Sequence, residues 1–317
     1  MLLHPPGPEV ENMTPKNAER ALYSDILNLS VARREYNQLE CLLQQLVPTF
    51  RIMDLLRDIL RSSEIREKIV KKACYQEGHP QLIDKLLDLN ETLLAKQLVQ
   101  GVPLERNTLS AYLSSENFSL RPLHNFFFAR DASVALGDRV LISRMANPVR
   151  DREALIMQAI FNYHPRFRVQ TTHPDEGGNG RDSLSFEGGD LLIAADHITL
   201  AGLGTRTTSR GIDFLVERLA ERKDKQHLLV QELPSSPESF IHLDMTFTLL
   251  DHDSCMVYEP LILKSSKYQT IQIDIDGGKV TSIRNVENLV LALRDLGMDL
   301  KTSFCGGDKD TMTQERE

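Results

Sequence analysis

The texture of the chain changes near Phe126, and that change constrains the fold more than any other feature. From about residue 52 to 120, apolar residues recur at helical spacing with few β-branched runs. Leu82, Leu86, Leu89, Leu93 and Leu94 share one stripe, and Gly101 followed by Pro103 predicts its stop. After Phe126, short apolar runs alternate with single helices. The runs at 140–143, 191–194, 198–203, 228–232, 247–250, 255–258 and 271–275 predict strands. Segments 211–222 and 286–296 predict amphipathic helices. This strand-strand-helix-strand rhythm predicts an α/β fold, although its units share no sequence repeat. Upstream, residues 1–4 read as a strand fragment, Thr14-Pro15 as a helix start, and Ser30 as the cap of a second helix. Ala32, Tyr36, Leu39, Leu43 and Leu46 would form one face of that helix.

The 317 residues suffice for one large domain or two ordinary ones, with a substantial buried core. A net charge of −8 and the lack of a long Lys/Arg stripe argue against nucleic acid as a partner. The basic runs at 66–72 and 222–225 are mixed with acids and read as solvated helix faces. No apolar run approaches the roughly 18 residues of a membrane span. Cys41, Cys74, Cys255 and Cys305 form no CxxC pair, which suits a reducing cytoplasm better than a disulfide framework.

Four short runs carry the groups capable of chemistry: NFFFARD (125–131), EGGD (187–190), GTRTT with Arg206, and HLD (242–244). Gly188 and Gly189 permit a tight bend that lets the Glu187 and Asp190 carboxylates reach one side, one as a base and one as its orienter. Taken alone, the same run reads better as a polar hairpin turn at the start of a strand. His242 and Asp244 are two apart, so in a strand they share a face, and a carboxylate beside an imidazole makes it more basic. A satisfied hydrogen-bonded pair is the plainer alternative. A metal site from His242, Asp244, Asp251, His252 and Asp253 has suitable ligand types but no recognised spacing, so metal-free chemistry is expected. Asp131, beside the aromatic run, could meet a planar guanidinium with paired hydrogen bonds. Arg150 and Arg206 offer forks suited to a carboxylate. GLGTRT resembles a phosphate loop only weakly and lacks its GK[ST] ending. The turn-rich segment 173–182 would be a surface loop able to lie over a pocket.

With HPPGPEVENMTP at the start and PLHNFFFARD, NPVRDRE, EGGD, GTRT, HLDMTFTLLD and CGGDKDTMTQERE following in order, the chain resembles the arginine deiminase family of guanidine-modifying, or pentein, proteins. Asp131 to Arg150 and Glu187 to Arg206 are each 19 residues apart, in line with that family. The resemblance implies an α/β propeller of pseudo-fivefold ββαβ modules, incomplete here, over 1–52 and 119–317, with a helical insertion at 53–118. It implies that Asp131 and Asp244 clamp the substrate guanidinium and that Glu187 and His242 handle protons. Asn125, Arg150 and Arg206 would hold the substrate carboxylate, and Asp190 would position groups around the substrate. Ala129 stands where the family usually has Thr. The family nucleophile is a cysteine near the C-terminus, preceded by a Gly-rich loop. Cys305 matches another cysteine of that family, so the expectation is a truncated deiminase with its nucleophile outside this sequence, inactive by itself. The implied reaction is L-arginine to L-citrulline and ammonia in the cytoplasm, with no cofactor, by a homo-oligomer when complete. An amidinotransferase, a methylarginine hydrolase and a non-catalytic guanidine-binding protein are the alternatives.

Overall fold

The computed structural model describes residues 1–13, 22–23, 26–167, 169–174, 184–236, 240–264 and 267–305. The expected helix start at Thr14, most of the 173–182 loop and the CGG…QERE segment after Cys305 fall outside them. Contacts divide the chain into two compact units, one of residues 1–142 with 147–172 and one of residues 143–146 with 173–317.

The first unit opens with strand β1 (Leu2–Leu3), the short helix α1 (Pro8–Glu11) and helix α2 (Leu29–Leu46). Asn28, not Ser30, caps α2: its Oδ1 accepts from Ser30 N and Val31 N at 3.0 and 3.3 Å. Leu39 and Leu46 of the expected face are exposed. Strand β2 (Phe50–Arg51) pairs in parallel with β1. Helices α3 (Ile52–Ile59), α4 (Ser63–Gln76), α5 (Ile83–Leu87) and α6 (Glu91–Gln100) follow. On α4, Glu64–Lys68 and Glu67–Lys71 pair at 2.6 and 2.5 Å across one turn, as expected of a solvated face. The leucine stripe does not form one helix. Asn90 Oδ1 accepts from Leu93 N at 2.9 Å and starts α6 afresh, which leaves Leu93 exposed. Gly101 ends α6 at φ 87°, a left-handed backbone that a side chain disfavours.

Strand β3 (Val102–Pro103), helix α7 (Leu109–Leu113) and strand β4 (Phe118–Leu120) lead to β5 (Ser133–Leu136), β6 (Arg139–Ile142), α8 (Asp151–Tyr163) and β7 (Gln170–Thr172). Buried positions surround α8 on most of its circumference, because it packs against α3, α4 and β5 at once. Ile52, Leu56, Leu98, Phe126, Ile156 and Ile160 sit at full burial in this core. Each such aliphatic side chain contributes roughly 1.5–3 kcal/mol.

The second unit contains β8 (Leu191–Ala195), β9 (Ile198–Leu203), α9 (Ser209–Ala220) and β10 (Gln226–Glu232). Then come β11 (Phe247–Asp251), β12 (Ser254–Val257), α10 (Glu259–Ile262), β13 (Thr270–Asp276), β14 (Lys279–Val286), α11 (Leu289–Asp295) and β15 (Lys301–Phe304). One sheet runs β14-β13-β10-β9-β8 and another β11-β12-β15. Val286 closes β14 and does not begin a helix, which Asn288 caps instead.

Three strand triplets share one connectivity. In each of β5-β6-β7, β8-β9-β10 and β11-β12-β15, an antiparallel hairpin is followed by helix and a third strand parallel to the second. The third carries the β13–β14 hairpin between its helices, and β13 pairs with the edge of β10. The fold is mixed α/β. No helix among the described residues is long and apolar enough to cross a membrane.

Candidate active site

In the first unit, NFFFARD folds as successive turns, with Phe126 N, Phe128 N and Asp131 N bonding back to Leu123 O, Asn125 O and Phe128 O. Asp131 therefore arrives at the head of β5 as a buried carboxylate. Arg150 stands at the start of α8, in a turn that Asn147 Oδ1 holds by accepting from Val149 N at 3.0 Å. Its Nη1 donates to Asp131 Oδ2 at 2.7 Å, while Nε and Nη2 donate to Glu153 Oε2 at 3.1 and 2.8 Å. Nη2 also reaches Asn125 O at 3.4 Å. Asn125, Asp131 and Arg150 are thus brought together, but the Arg150 fork already grips two buried carboxylates of its own unit.

The second unit gathers the other runs. Glu187 is fully buried in extended backbone, and 188–190 form a single tight helical turn without a left-handed glycine. Glu187 Oε1 accepts from Ala146 N at 3.0 Å, and Oε2 pairs with His242 Nε2 at 3.0 Å. Arg206 Nη1 lies 3.8 Å from Glu187 Oε1, an ion pair without hydrogen-bond contact. Asp190 Oδ1 accepts from Leu243 N at 3.0 Å, and Oδ2 accepts from the Thr207 hydroxyl at 2.6 Å. Burial pushes the Asp190 carboxyl up to about 7, opposed by the charge of His242 and by the bonds from Thr207 and Leu243. Gly202 makes room for this carboxylate, since a Cβ there would stand 2.2 Å from Asp190 Oδ1.

The HLD run is not a strand. His242 precedes a short helical turn over Leu243–Met245, so the expected same-face strand geometry of His242 and Asp244 does not apply. The turn forms because Asp190 takes the Leu243 N–H, a partner 53 residues away. His242 is buried and Asp244 half-buried on this turn. Of the residues weighed as metal ligands, Asp251, His252 and Asp253 cluster at the exposed tip of the β11–β12 hairpin, whereas His242 is engaged by Glu187.

Sequence reasoning missed Glu153, Thr207 and Gly202. Glu153 follows Arg150 by three residues on a helix, a spacing that signals an ion pair. Thr207 and Gly202 have no local signal, since their partners are distant in sequence.

These arrangements supply buried carboxylates, an imidazole paired with one of them, and arginines beside both. The sequence profile described as arginine deiminase matches residues 19–302. The chain belongs to the arginine deiminase family. That family comprises hydrolases acting on the C–N bond of a guanidine. The arginine deiminase of Limosilactobacillus fermentum is 30% identical over 278 residues, covering 83% of this chain and 67% of the relative. That of Bacillus cereus is 30% identical over an alignment that covers 100% of this chain and 81% of the relative. Among solved structures, the N-terminal domain of ArgZ, a cyanobacterial arginine dihydrolase bound to substrate, matches with TM-score 0.47 and 15% identity over 82% of this chain and 66% of that one. The amidinotransferase SxtG of Microseira wollei matches with TM-score 0.38 and 15% identity over 56% of this chain. The chain spans 47% of SxtG and less than two thirds of either solved protein.

Proposed function

We propose that this chain carries the guanidine-binding and proton-handling residues of an arginine deiminase that converts L-arginine to L-citrulline and ammonia. The observation that carries the reading is the buried Glu187–His242 pair at 3.0 Å, an imidazole oriented by a carboxylate whose other oxygen accepts from Ala146 N. Membership of the deiminase family supplies the substrate class.

In this reading Asp131 in the first unit and Asp244 in the second are the carboxylates offered to the guanidinium, whose carbon becomes attackable once its charge is held. A cysteine thiolate forms an S–C bond at that carbon. The C–N bond breaks, and His242 gives a proton to the departing ammonia. His242 then takes a proton from water, which forms the C–O bond as the C–S bond breaks and releases citrulline. Arg206, Asn125 and Arg150 are assigned the substrate carboxylate. For Arg150 that role requires surrendering its bond to Asp131 or to Glu153 as substrate arrives. Cys74 and Cys255 do not suit the nucleophile, because both are buried and burial raises their thiols. No cofactor enters this scheme. The three repeated triplets suit a propeller of ββαβ modules, with 53–118 as an inserted helical subdomain and the two flanking segments as one catalytic domain.

Calorimetric titration of the chain tests the reading. L-arginine should bind, L-citrulline should bind far more weakly, and Asp131→Asn or Asp244→Asn should remove the arginine signal. Equal binding of the uncharged citrulline would defeat the guanidinium assignment.

A further inference from the structure

Three of the four motif runs meet at one carboxylate, that of Asp190, which takes the Thr207 hydroxyl and the Leu243 amide. Thr207 Oγ1 donates to Asp190 Oδ2 at 2.6 Å and accepts from Glu187 N at 3.2 Å. The hydroxyl therefore ties the first residue of the EGGD turn to the last. The Thr207 backbone is itself fixed, since Gly204 N donates to Thr207 O at 2.9 Å. The other Asp190 oxygen takes the Leu243 N–H, the first amide of the turn that presents His242 and Asp244. Asp190 and Thr207 are each 1% exposed. With one oxygen committed to Leu243 and the other to Thr207, the Asp190 carboxylate is consumed inside the protein.

We propose that Asp190 and Thr207 are positioning residues, a buried carboxylate–hydroxyl pair that holds the His242–Asp244 turn in register with Glu187. Asp190 then acts through Leu243 and not on substrate. The hydroxyl has a single proton, which goes to Asp190, so its lone pair faces the Glu187 amide. Removing the hydroxyl leaves two buried groups without a partner, whereas keeping it on a smaller side chain leaves both bonds intact. Gly202 belongs to the same device, because a methyl group there would collide with Asp190 Oδ1, the oxygen that takes the Leu243 amide.

Only the substrate readout of the test depends on the deiminase reading. Thr207→Val and Thr207→Ser would be compared with the parent chain by NMR titration of the His242 ring and by L-arginine calorimetry. The charged groups around that ring include Glu187, bonded to it, Asp190, and Arg206 beside Glu187. In Thr207→Val the His242 midpoint should move to lower pH, because Asp190 holds its proton more tightly and offers less negative charge. Arginine affinity should fall about tenfold, the scale of one hydrogen bond to a charged group. Thr207→Ser should keep the parent titration and an affinity within about twofold. An unchanged titration in Thr207→Val, or a Thr207→Ser variant as impaired as Thr207→Val, would overturn the proposal. Gly202→Ala stands in if Thr207→Val does not fold, with the same expected shift. A parent that binds no arginine would sink the deiminase reading, while the His242 titration would still decide the positioning role.

Discussion

Asp190→Asn isolates the cost of keeping a charge in the second unit's polar centre. The Asp190 carboxyl moves from 3.8 to about 7 because burial outweighs the charge of His242 and the bonds from Thr207 and Leu243. A carboxylate whose folded value is raised costs nothing below its unfolded value, where both states hold the proton. The cost then grows as pH rises, because the folded state keeps a proton that the unfolded state has lost, and it is complete above the folded value. At about 1.36 kcal/mol per unit, the loss confined to the interval from pH 5 to pH 8 is roughly 2–3 kcal/mol. Asparagine retains an acceptor for Leu243 N and carries no titrating proton, so the variant lacks this slope. Urea unfolding of both proteins at pH 5 and pH 8 measures it. The stability of the parent relative to the variant should fall by roughly 2–3 kcal/mol between the two conditions, with His242 as the neighbouring group able to reduce the figure. A difference constant to within about 0.5 kcal/mol would refute the claim that Asp190 is buried against its charge.

The first unit's ion network should also respond: Glu153→Gln weakens two charge-assisted bonds of Arg150, which keeps its pair with Asp131, and should cost about 1–3 kcal/mol by chemical denaturation, a loss under about 0.5 kcal/mol contradicting the geometry. Asp274 is held below the usual carboxylate range. Burial raises it, but bonds from Ser282, Gln272 and His227 and the charge of Arg284 together prevail. Its contribution should be present above about pH 4 and fade as pH falls further, and Asp274→Asn should flatten that acid limb in thermal melts. Native-state alkylation followed by mass spectrometry should label exposed Cys41 and spare Cys74 and Cys255; rapid labelling of either buried thiol would contradict their placement.

The sequence announces what is local. β9 spans Ile198–Leu203 as its apolar run requires, and α9 is delimited by a Thr208 cap that accepts from Gly211 N at 3.3 Å. β14 escapes notice because KVTSIRNV lies at a sheet edge and faces solvent over most of its length, without a clear apolar period. Its signal was instead the Gly277-Gly278 turn, both residues at positive φ, as a tight hairpin demands. The site behaves the same way. EGGD, HLD and the arginines stand out as chemically rich runs, but the helical turn at 243–245 exists because Asp190 reaches it across 53 residues. No window of HLDMT contains that information, so a strand was the natural expectation. Arg150 likewise reads as a free fork until α8 places Glu153 beside it.

Turnover tests the central claim most directly. The protein expressed from its complete gene should be given L-arginine, with citrulline and ammonia measured together. The account predicts the two products in equal amounts, lost in His242→Ala and in Glu187→Gln. Ornithine release that depends on an added amine, or arginine bound but unchanged, would contradict a deiminase.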